Sequence, residues 1–247
     1  MSVVHIVGAG PGAIDLLTVR ATRLLAGADL VVFPGSYLDP GEVAGLAPGA
    51  TLVDSQHLDL DQITEALVGA ASAGQSVVRL ASGDPSVYSA LAEQTRRLDR
   101  AGVPWDVCPG VPAYAAAAAL LGRELTVPEV AQTVILTRAQ QDSTQMPVTE
   151  ELSGLAQSRA TLVLHLAVRH VRRLAETLIP HYGPDCPAVV TAWVSQPREQ
   201  VLRGTLATIA DQVEASGLRM GALIFVGEAL QAPDDHAESH LYSCRPR

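Results

Sequence analysis

The chain has 247 residues, 48% of them hydrophobic, and a formal net charge of −9. This is enough apolar material for one large domain or two modest ones, and so acidic a chain disfavours nucleic-acid binding, which depends on phosphate neutralisation. All 17 of its Lys and Arg residues are arginines, which excludes the chemistry of Schiff-base and Walker lysines. Any anionic ligand must therefore be held by local arginines.

No uninterrupted apolar run reaches the roughly 20 residues of a membrane-spanning helix, and the first residues lack the order of a secretion signal. The three cysteines, Cys108, Cys186 and Cys244, are far apart and have no paired spacing. This pattern indicates neither a disulfide framework nor a cysteine metal site. We expect a cytoplasmic protein with reduced thiols and no membrane partner.

The first half alternates predicted strands with predicted helices. A β-branched strand over 3–7 ends at the glycine loop 8–12, and a helix is predicted over 16–28. Further strands are predicted over 30–33, 51–53, 77–81 and 105–108, and further helices over 63–73, 89–101 and 112–121. This alternation implies a parallel sheet with covering helices.

The pattern starts again near residue 134. Strands are predicted over 134–137, 161–166, 188–194 and 224–226, helices over 169–180 and 208–216, and a polar loop over 140–149. We therefore predict two α/β domains, 1–122 and 132–232. The polar tail 233–247 is predicted to be disordered.

The loop Gly8-Ala9-Gly10-Pro11-Gly12-Ala13 fits the dinucleotide fingerprint loosely. Two features count against a dinucleotide. The acid Asp29 precedes the second strand, although a ribose-binding acid should end it. Pro11 also removes one backbone N–H from the turn that would hold a pyrophosphate. A nucleotide-dependent oxidoreductase remains an alternative from a different functional class.

Two more turns, 82–88 and 109–113, follow apolar strands in the same way as the glycine loop. In a parallel sheet such turns line one edge, where open α/β folds bind small ligands. Glycines there let a ligand approach the backbone. Asp84, before Pro85, could cap a following helix, contact a ligand, or do both.

At these residues the sequence resembles the tetrapyrrole methylases, which use S-adenosylmethionine and act on uroporphyrinogen and the precorrins. The resemblance covers nearly the whole chain, with four motifs in the family's order. They are Gly8–Gly12 with Asp15-Leu16-Leu17-Thr18, then Ser82-Gly83-Asp84-Pro85 with Tyr88, then Pro109-Gly110-Val111-Pro112, and finally Ala222–Gly227. Within the family, residues 132–138, Met146-Pro147 and residues 161–167 resemble the precorrin-4 branch most, whose members methylate ring carbon 11.

The resemblance implies two unlike α/β domains with the active site in a trough between them. It also implies S-adenosylmethionine as cofactor, a tetrapyrrole as substrate and a homodimer. Carried over by position, the cofactor contacts are Pro11, Gly83, Asp84, Val87, Tyr88, Pro112, Ala113, Thr137, Leu166, Val194 and Ala222. At Val194 the family usually has Ala or Gly, and Trp193 beside it is bulkier than the family pattern.

Methyl transfer from a sulfonium is an in-line displacement with an activated donor, so alignment matters most, and neither an enzyme nucleophile nor a metal is required. A base for the rearranging macrocycle is left open among Asp84, His57 and Tyr37, with Asp54 and His165 also considered. For His165 a hydrogen-bonded core role is favoured.

A polycarboxylate substrate needs local positive charge, which Arg138 and Arg169 supply near the ends of strands. The alternative for Arg169, Arg172 and Arg173 is a solvated helix face. The loop with Ser36 and Tyr37 suits one wall of a substrate pocket, or serves only as a crossover. Rival functions are another tetrapyrrole methylase (acting on uroporphyrinogen, precorrin-2 or precorrin-3), diphthine synthesis, or a ligand-binding module without activity.

Overall fold

A computed structural model of the chain describes residues 1–139 and 146–231. These residues divide into two compact units, the first over Met1–Ala116 and the second from Ala117 onward. The predicted tail 233–247 and most of the predicted loop 140–149 lie outside the described residues. The domain limits 1–122 and 132–232 stay predictions.

The first unit contains a five-stranded sheet in which every strand pairing is parallel. The strands are β1 (Val4–Gly8), β2 (Leu30–Phe33), β3 (Thr51–Asp54), β4 (Val77–Ala81) and β5 (Trp105–Cys108), in the order β3-β2-β4-β1-β5. Val7 of β1 lies opposite Leu80 of β4 and Cys108 of β5 and is fully buried. Because the strands run in one direction, their carboxyl ends share one edge of the sheet.

A helix follows each of these strands: α1 (Val19–Ala26), α2 (Pro40–Leu46), α3 (Leu60–Ser72), α4 (Leu91–Arg100) and α5 (Ala113–Leu121). The predicted helix 16–28 begins only at Val19, because the Thr18 hydroxyl accepts a hydrogen bond from Ala21 N–H and caps it. One apolar cluster includes Leu25 of α1 and Val43 of α2, and another includes Leu67 of α3 and Leu98 of α4. The sheet is therefore buried on both faces, as parallel sheets usually are.

The second unit contains a five-stranded mixed sheet, so the two units are unlike. Its strands are β6 (Val134–Arg138), β7 (Thr161–His165), β8 (Pro187–Ala192), β9 (Gln200–Thr205) and β10 (Ala222–Val226), in the order β6-β7-β10-β8-β9. The β6–β7 pairing is parallel, and the other three are antiparallel. Ala222 pairs with Ala192 at the end of β8, so the start of β10 lies beside the ends of its neighbours.

The second unit also contains helices α6 (Leu152–Ala156), α7 (Val171–Tyr182) and α8 (Ile209–Ser216). The predicted helix 169–180 starts later, because Val168–His170 form a 3-10 turn. The two α/β units confirm the predicted fold class. Within the described ranges, no helix is both long enough and apolar enough to cross a membrane.

Candidate functional site

Three glycine-containing turns meet at the carboxyl edge of the first sheet. Gly10 and Gly83 form a two-residue antiparallel bridge, with backbone N···O distances of 3.0 and 2.7 Å, and both have positive φ angles (+71° and +67°). A Cβ atom on Gly110 would lie 2.3 Å from the carbonyl oxygen of Gly83, and one on Gly8 would lie 2.5 Å from Gly110 N. The turns therefore touch backbone to backbone, which only glycine permits here.

Asp84 holds the second and third turns together. Its Oδ2 accepts a hydrogen bond of 2.8 Å from Gly110 N–H, while Oδ1 accepts one of 2.8 Å from Ser86 N–H and another from the Ser86 hydroxyl. Burial alone would raise the pKa of Asp84, but these hydrogen bonds outweigh it and hold the pKa below its usual value. Of the alternatives for Asp84, capping of the next helix does not occur, because α4 begins only at Leu91 with Ala90 as its N-cap.

The remaining cofactor candidates of the first unit lie on the same three turns. Tyr88 is 47% exposed and has a φ of +54°, a strained conformation for a residue with a side chain. The direction of a Cβ atom on Gly83 is comparatively open, with Ala113 N at 3.6 Å and Pro112 Cα at 3.8 Å. Pro11 is buried in the first turn, and Val87 is half-buried in the second. The backbone N–H and C=O groups of these three turns suit a ligand that is bound by main-chain atoms.

Arg79 ties the ends of three strands to helix α4. Its Nη1 donates to the carbonyls of Val32 and Leu80 and to the Ser55 hydroxyl, at 3.0 to 3.3 Å. Its Nε donates to Gln94 Oε1 at 3.0 Å. Gln94 in turn donates to the carbonyl of Ser89 at 3.0 Å, just after the second turn. Burial lowers the pKa of Arg79 to about 10, so its guanidinium stays charged at neutral pH.

The loop after β2 lies at the same edge. Gly35 N–H donates to Asp54 Oδ1 at 2.8 Å, so Asp54 fixes the loop that carries the substrate candidates Ser36 and Tyr37. Ser36 is exposed and Tyr37 is half-buried. His57 is exposed and lies three residues after Asp54, in the loop that follows β3. The structure therefore places Tyr37, His57 and Asp84 on one edge of the first sheet.

The four cofactor candidates of the second unit share one edge of its sheet. Thr137 is buried near the end of β6, Leu166 follows β7, Val194 follows β8, and Ala222 begins β10. Leu166 is 58% exposed with a φ of +53°. The strained backbone thus falls where strands end, as it does in the first unit.

Trp193 packs beside this edge. Its backbone N–H donates to the carbonyl of Gly221 at 2.9 Å, and a Cβ atom on Gly221 would lie 2.7 Å from the indole ring. Arg198 lies over the same ring, 3.3 Å from its centroid. The bulky Trp193 is therefore accommodated by Gly221, the residue just before β10, and Val194 beside it is buried.

The two basic candidates of the second unit, Arg138 and Arg169, lie near the ends of different strands of its sheet. Arg138 ends β6 directly opposite His165, the last residue of β7. Burial lowers the pKa of His165 to about 4, so its imidazole is neutral at pH 7. Arg169 is exposed beyond β7, where its Nε donates to the carbonyl of Arg219 at 3.0 Å.

The surroundings of the glycine loop do not suit a dinucleotide. The helix that would receive a pyrophosphate begins only at Val19, after a separate 3-10 turn. Asp29 lies before β2, at the opposite edge of the sheet, with its carboxylate accepting from Ser76 N–H at 2.8 Å. Among the described residues, no three His, Cys, Asp or Glu side chains form a group that would hold a metal.

Sequence reasoning missed Arg79 and Gln94. The available signal was a charged residue inside the otherwise apolar strand Val77–Ala81, since a buried arginine requires several hydrogen-bond acceptors. The link between Asp84 and Gly110 had no local signal, because the two residues are 26 positions apart.

Comparison with known proteins adds to this geometry. The family model described as Tetrapyrrole (Corrin/Porphyrin) Methylases matches residues 3–210. A Rhodococcus erythropolis protein named precorrin-4 C(11)-methyltransferase is 52% identical over 240 residues, covering 97% of this chain and 96% of the relative. The solved structure of a cobalt precorrin-4 methyltransferase has a TM-score of 0.88 at 36% identity, covering 92% of this chain and 95% of its own.

A second solved structure, the uroporphyrin-III C-methyltransferase from Thermus thermophilus complexed with S-adenosylhomocysteine, has a TM-score of 0.77 at 30% identity. It covers 93% of this chain and 99% of its own. The likeness thus spans both units. This chain belongs to the tetrapyrrole (corrin/porphyrin) methylases.

Proposed function

We propose that this chain transfers a methyl group from S-adenosylmethionine to ring carbon 11 of precorrin-4 or cobalt-precorrin-4. The observation that carries the proposal is the 52% identity, over nearly the full length of both chains, to a protein named precorrin-4 C(11)-methyltransferase. The 0.88 TM-score to a cobalt precorrin-4 methyltransferase supports the same reaction.

The cofactor would contact both units through the candidates on their strand ends. These are Pro11, Gly83, Asp84, Val87, Tyr88, Pro112 and Ala113 in the first unit, and Thr137, Leu166, Val194 and Ala222 in the second. Glycines in these turns let a ligand approach the main chain, which suits a zwitterionic nucleoside bound through N–H and C=O groups. When bound, S-adenosylmethionine supplies an activated methyl group, and the chain's own task is to align it and exclude water.

The hydrogen bonds at Asp84 bear on the choice of a base. Both carboxylate oxygens are occupied and the pKa is lowered, so Asp84 is a weak proton acceptor and serves to hold the turns. His57 and Tyr37 lie at the same edge of the first sheet. We assign a proton-accepting role to one of these two.

Substrate carboxylates would be bound by Arg138 and Arg169, with Ser36 and Tyr37 forming part of the wall around the macrocycle. Guanidinium groups bind carboxylates in a bidentate way, which suits acetate and propionate side chains. A homodimer located in the cytoplasm, with no nucleic-acid or membrane partner and no required metal, completes the proposal.

The decisive experiment incubates the protein with S-adenosylmethionine and, in parallel, precorrin-4, cobalt-precorrin-4 or uroporphyrinogen. Mass spectrometry counts the added methyl groups and NMR locates them. Methylation at ring carbon 11 supports the proposal. Methylation of uroporphyrinogen alone would support the second candidate, which the likeness to the Thermus thermophilus enzyme favours. A thermal-shift comparison of S-adenosylhomocysteine with NAD tests the cofactor, since ligand at 100 times its Kd stabilises by about 2.7 kcal/mol.

A further inference from the structure

A cavity of about 260 Å³ in the second unit has four arginines among its nine lining residues. It lies between the start of α7 and the end of α8, and its lining includes Arg169, His170, Arg172, Arg173, Glu214 and Arg219. Four arginines face one glutamate there, in a chain whose formal net charge is −9. Such a concentration of positive charge opposes the overall charge and attracts anions.

The acidic groups at this cavity are already engaged. Arg172 donates to both carboxylate oxygens of Glu214, at 2.7 and 2.8 Å, and to Asp211 at 2.5 Å. These hydrogen bonds raise the pKa of Arg172 above its ordinary value and lower that of Glu214. The charge of Arg172 is therefore neutralised by Glu214 and Asp211, and not by a ligand.

Arg169 and Arg219 are bound differently. Within the described part of the chain, Arg169 donates to the carbonyl of Arg219, and Arg219 to the carbonyl of Leu218 at 3.2 Å, rather than to carboxylates. Both side chains are exposed, so their remaining N–H groups can reach a ligand. Both arginines line the same cavity, where their like charges repel, and a bound oxyanion would reduce that repulsion.

The position and size of the cavity indicate what it binds. Arg169 follows Leu166 by three residues and Arg219 precedes Ala222 by three, so the cavity adjoins the edge proposed for the cofactor. Its volume is below the roughly 300 Å³ at which pockets for whole drug-sized ligands begin. It therefore suits a charged side arm and not a macrocycle.

We propose that Arg169 and Arg219 form a subsite that binds the carboxylate side arms of the tetrapyrrole substrate. This inference rests on the proposed function and adds Arg219, which the sequence did not indicate. Bidentate guanidinium–carboxylate pairing explains why arginines are needed at this position. A free small oxyanion such as phosphate has the same chemistry and is the competing occupant.

The test uses uroporphyrin, an air-stable tetrapyrrole carboxylate, as the probe in a fluorescence titration, with inorganic phosphate titrated separately. The variants are Arg169→Gln, Arg219→Gln and the double variant. Arg20→Gln on the exposed face of α1 is the control with the same change in charge. We expect the double variant to bind uroporphyrin roughly ten-fold or more weakly, with a shallower salt dependence. Arg20→Gln should bind it as the unchanged protein does.

Two further readouts separate a binding role from a structural one. Affinity for S-adenosylhomocysteine should stay the same in the double variant, and a double Arg→Lys variant should recover part of the uroporphyrin affinity. Unchanged uroporphyrin binding in the folded double variant would overturn the subsite. So would loss of phosphate binding without loss of uroporphyrin binding. Analysis of the methylated product made by the unchanged protein tests the proposed function, and this titration tests the subsite alone.

Discussion

Arg79 Nε donates a hydrogen bond of 3.0 Å to Gln94 Oε1, which connects the middle of the first sheet to the helix that follows the second glycine turn. The side-chain amide of Gln94 in turn donates hydrogen bonds to the carbonyls of Ser89 and Ala90. On the other side, Arg79 reaches Ser55, whose hydroxyl donates to the Phe33 carbonyl, next to the loop with Tyr37. One guanidinium thus joins the proposed substrate loop to the proposed cofactor turn.

Replacing Arg79 by Met should destabilise the first unit by about 1 to 3 kcal/mol, because Gln94 Oε1 and the Val32 carbonyl would lose a buried donor. Affinity for S-adenosylhomocysteine should fall as well, since the turn at Ser89 would lose its support. Denaturant unfolding and calorimetric titration measure the two effects. Arg97→Ala is the control, because the exposed ion pair of Arg97 with Asp61 contributes at most about 1 kcal/mol. Equal effects from both variants would contradict this role of Arg79.

Alanine at Gly110 should be far more harmful than alanine at Gly45. The new Cβ atom at Gly110 would lie 2.3 Å from the Gly83 carbonyl oxygen, and such overpacking costs about 1 to 3 kcal/mol. Gly45 lies inside α2 with nothing within 4 Å of an added Cβ, so alanine there should stabilise by up to about 1 kcal/mol. Thermal unfolding of the two variants provides the comparison.

Valine at Gly83 should weaken binding of S-adenosylhomocysteine more than it weakens folding. The positive φ of Gly83 makes any side chain cost roughly 1 to 2 kcal/mol, but its nearest neighbours within the chain lie at 3.6 and 3.8 Å. If about 2 to 4 kcal/mol of ligand contacts are lost, affinity falls roughly 30-fold to 900-fold. Calorimetric titration of a folded Gly83→Val protein with unchanged affinity would remove this turn from the cofactor site.

Asparagine at Asp84 should loosen the turns. Its amide keeps one acceptor, so either Gly110 N–H or the Ser86 groups lose their partner, at a cost of about 1 to 3 kcal/mol. The pKa of Asp84 is lower in the folded chain, so its stabilising effect is present above the ordinary value of 3.8 and is lost as the pH falls below it. Unfolding at neutral pH should therefore separate the variant from the unchanged protein, and acid should bring them together.

His165 should make stability depend on pH in a different window. Its pKa falls from 6.5 to about 4 on folding, so protons bind the unfolded chain preferentially. The associated stability is complete above pH 6.5 and is lost as the pH falls from 6.5 to 4. A series of Tm measurements across this range should fall less steeply for His165→Gln. His57→Gln, the same substitution at an exposed position, is the control.

Much of the fold followed from local patterns. The strands β2, β4 and β5 begin and end as predicted, because short apolar runs stop at glycine, proline or a polar turn. The strand β9 was missed because Gln200–Thr205 lack a regular apolar alternation, as is common for an edge strand. The helix α2 was missed although Asp39 and Pro40 form a recognisable start, with Asp39 accepting from two backbone N–H groups.

The site was predictable as a set of strand ends but not as a set of contacts. Glycines after apolar strands indicate where a backbone must come close to something, and the structure brings these turns together at Gly8, Gly83 and Gly110. Which turn touches which depends on strand order, and sequence periodicity does not encode that order. The roles of Asp84 and Arg79 depend on partners far away in sequence, so they could not be read from their own neighbourhoods.

The close approach of Gly8, Gly83 and Gly110 also affects how the protein can be mapped by mutation. Alanine scanning removes side chains, and these three residues have none to remove. A scan that skips glycines, or reads them only as stability losses, would pass over the part of the chain that the proposal places against the cofactor. Main-chain substitution, such as replacing an amide by an ester through chemical ligation, would reveal it, because it deletes one N–H donor without adding a Cβ atom.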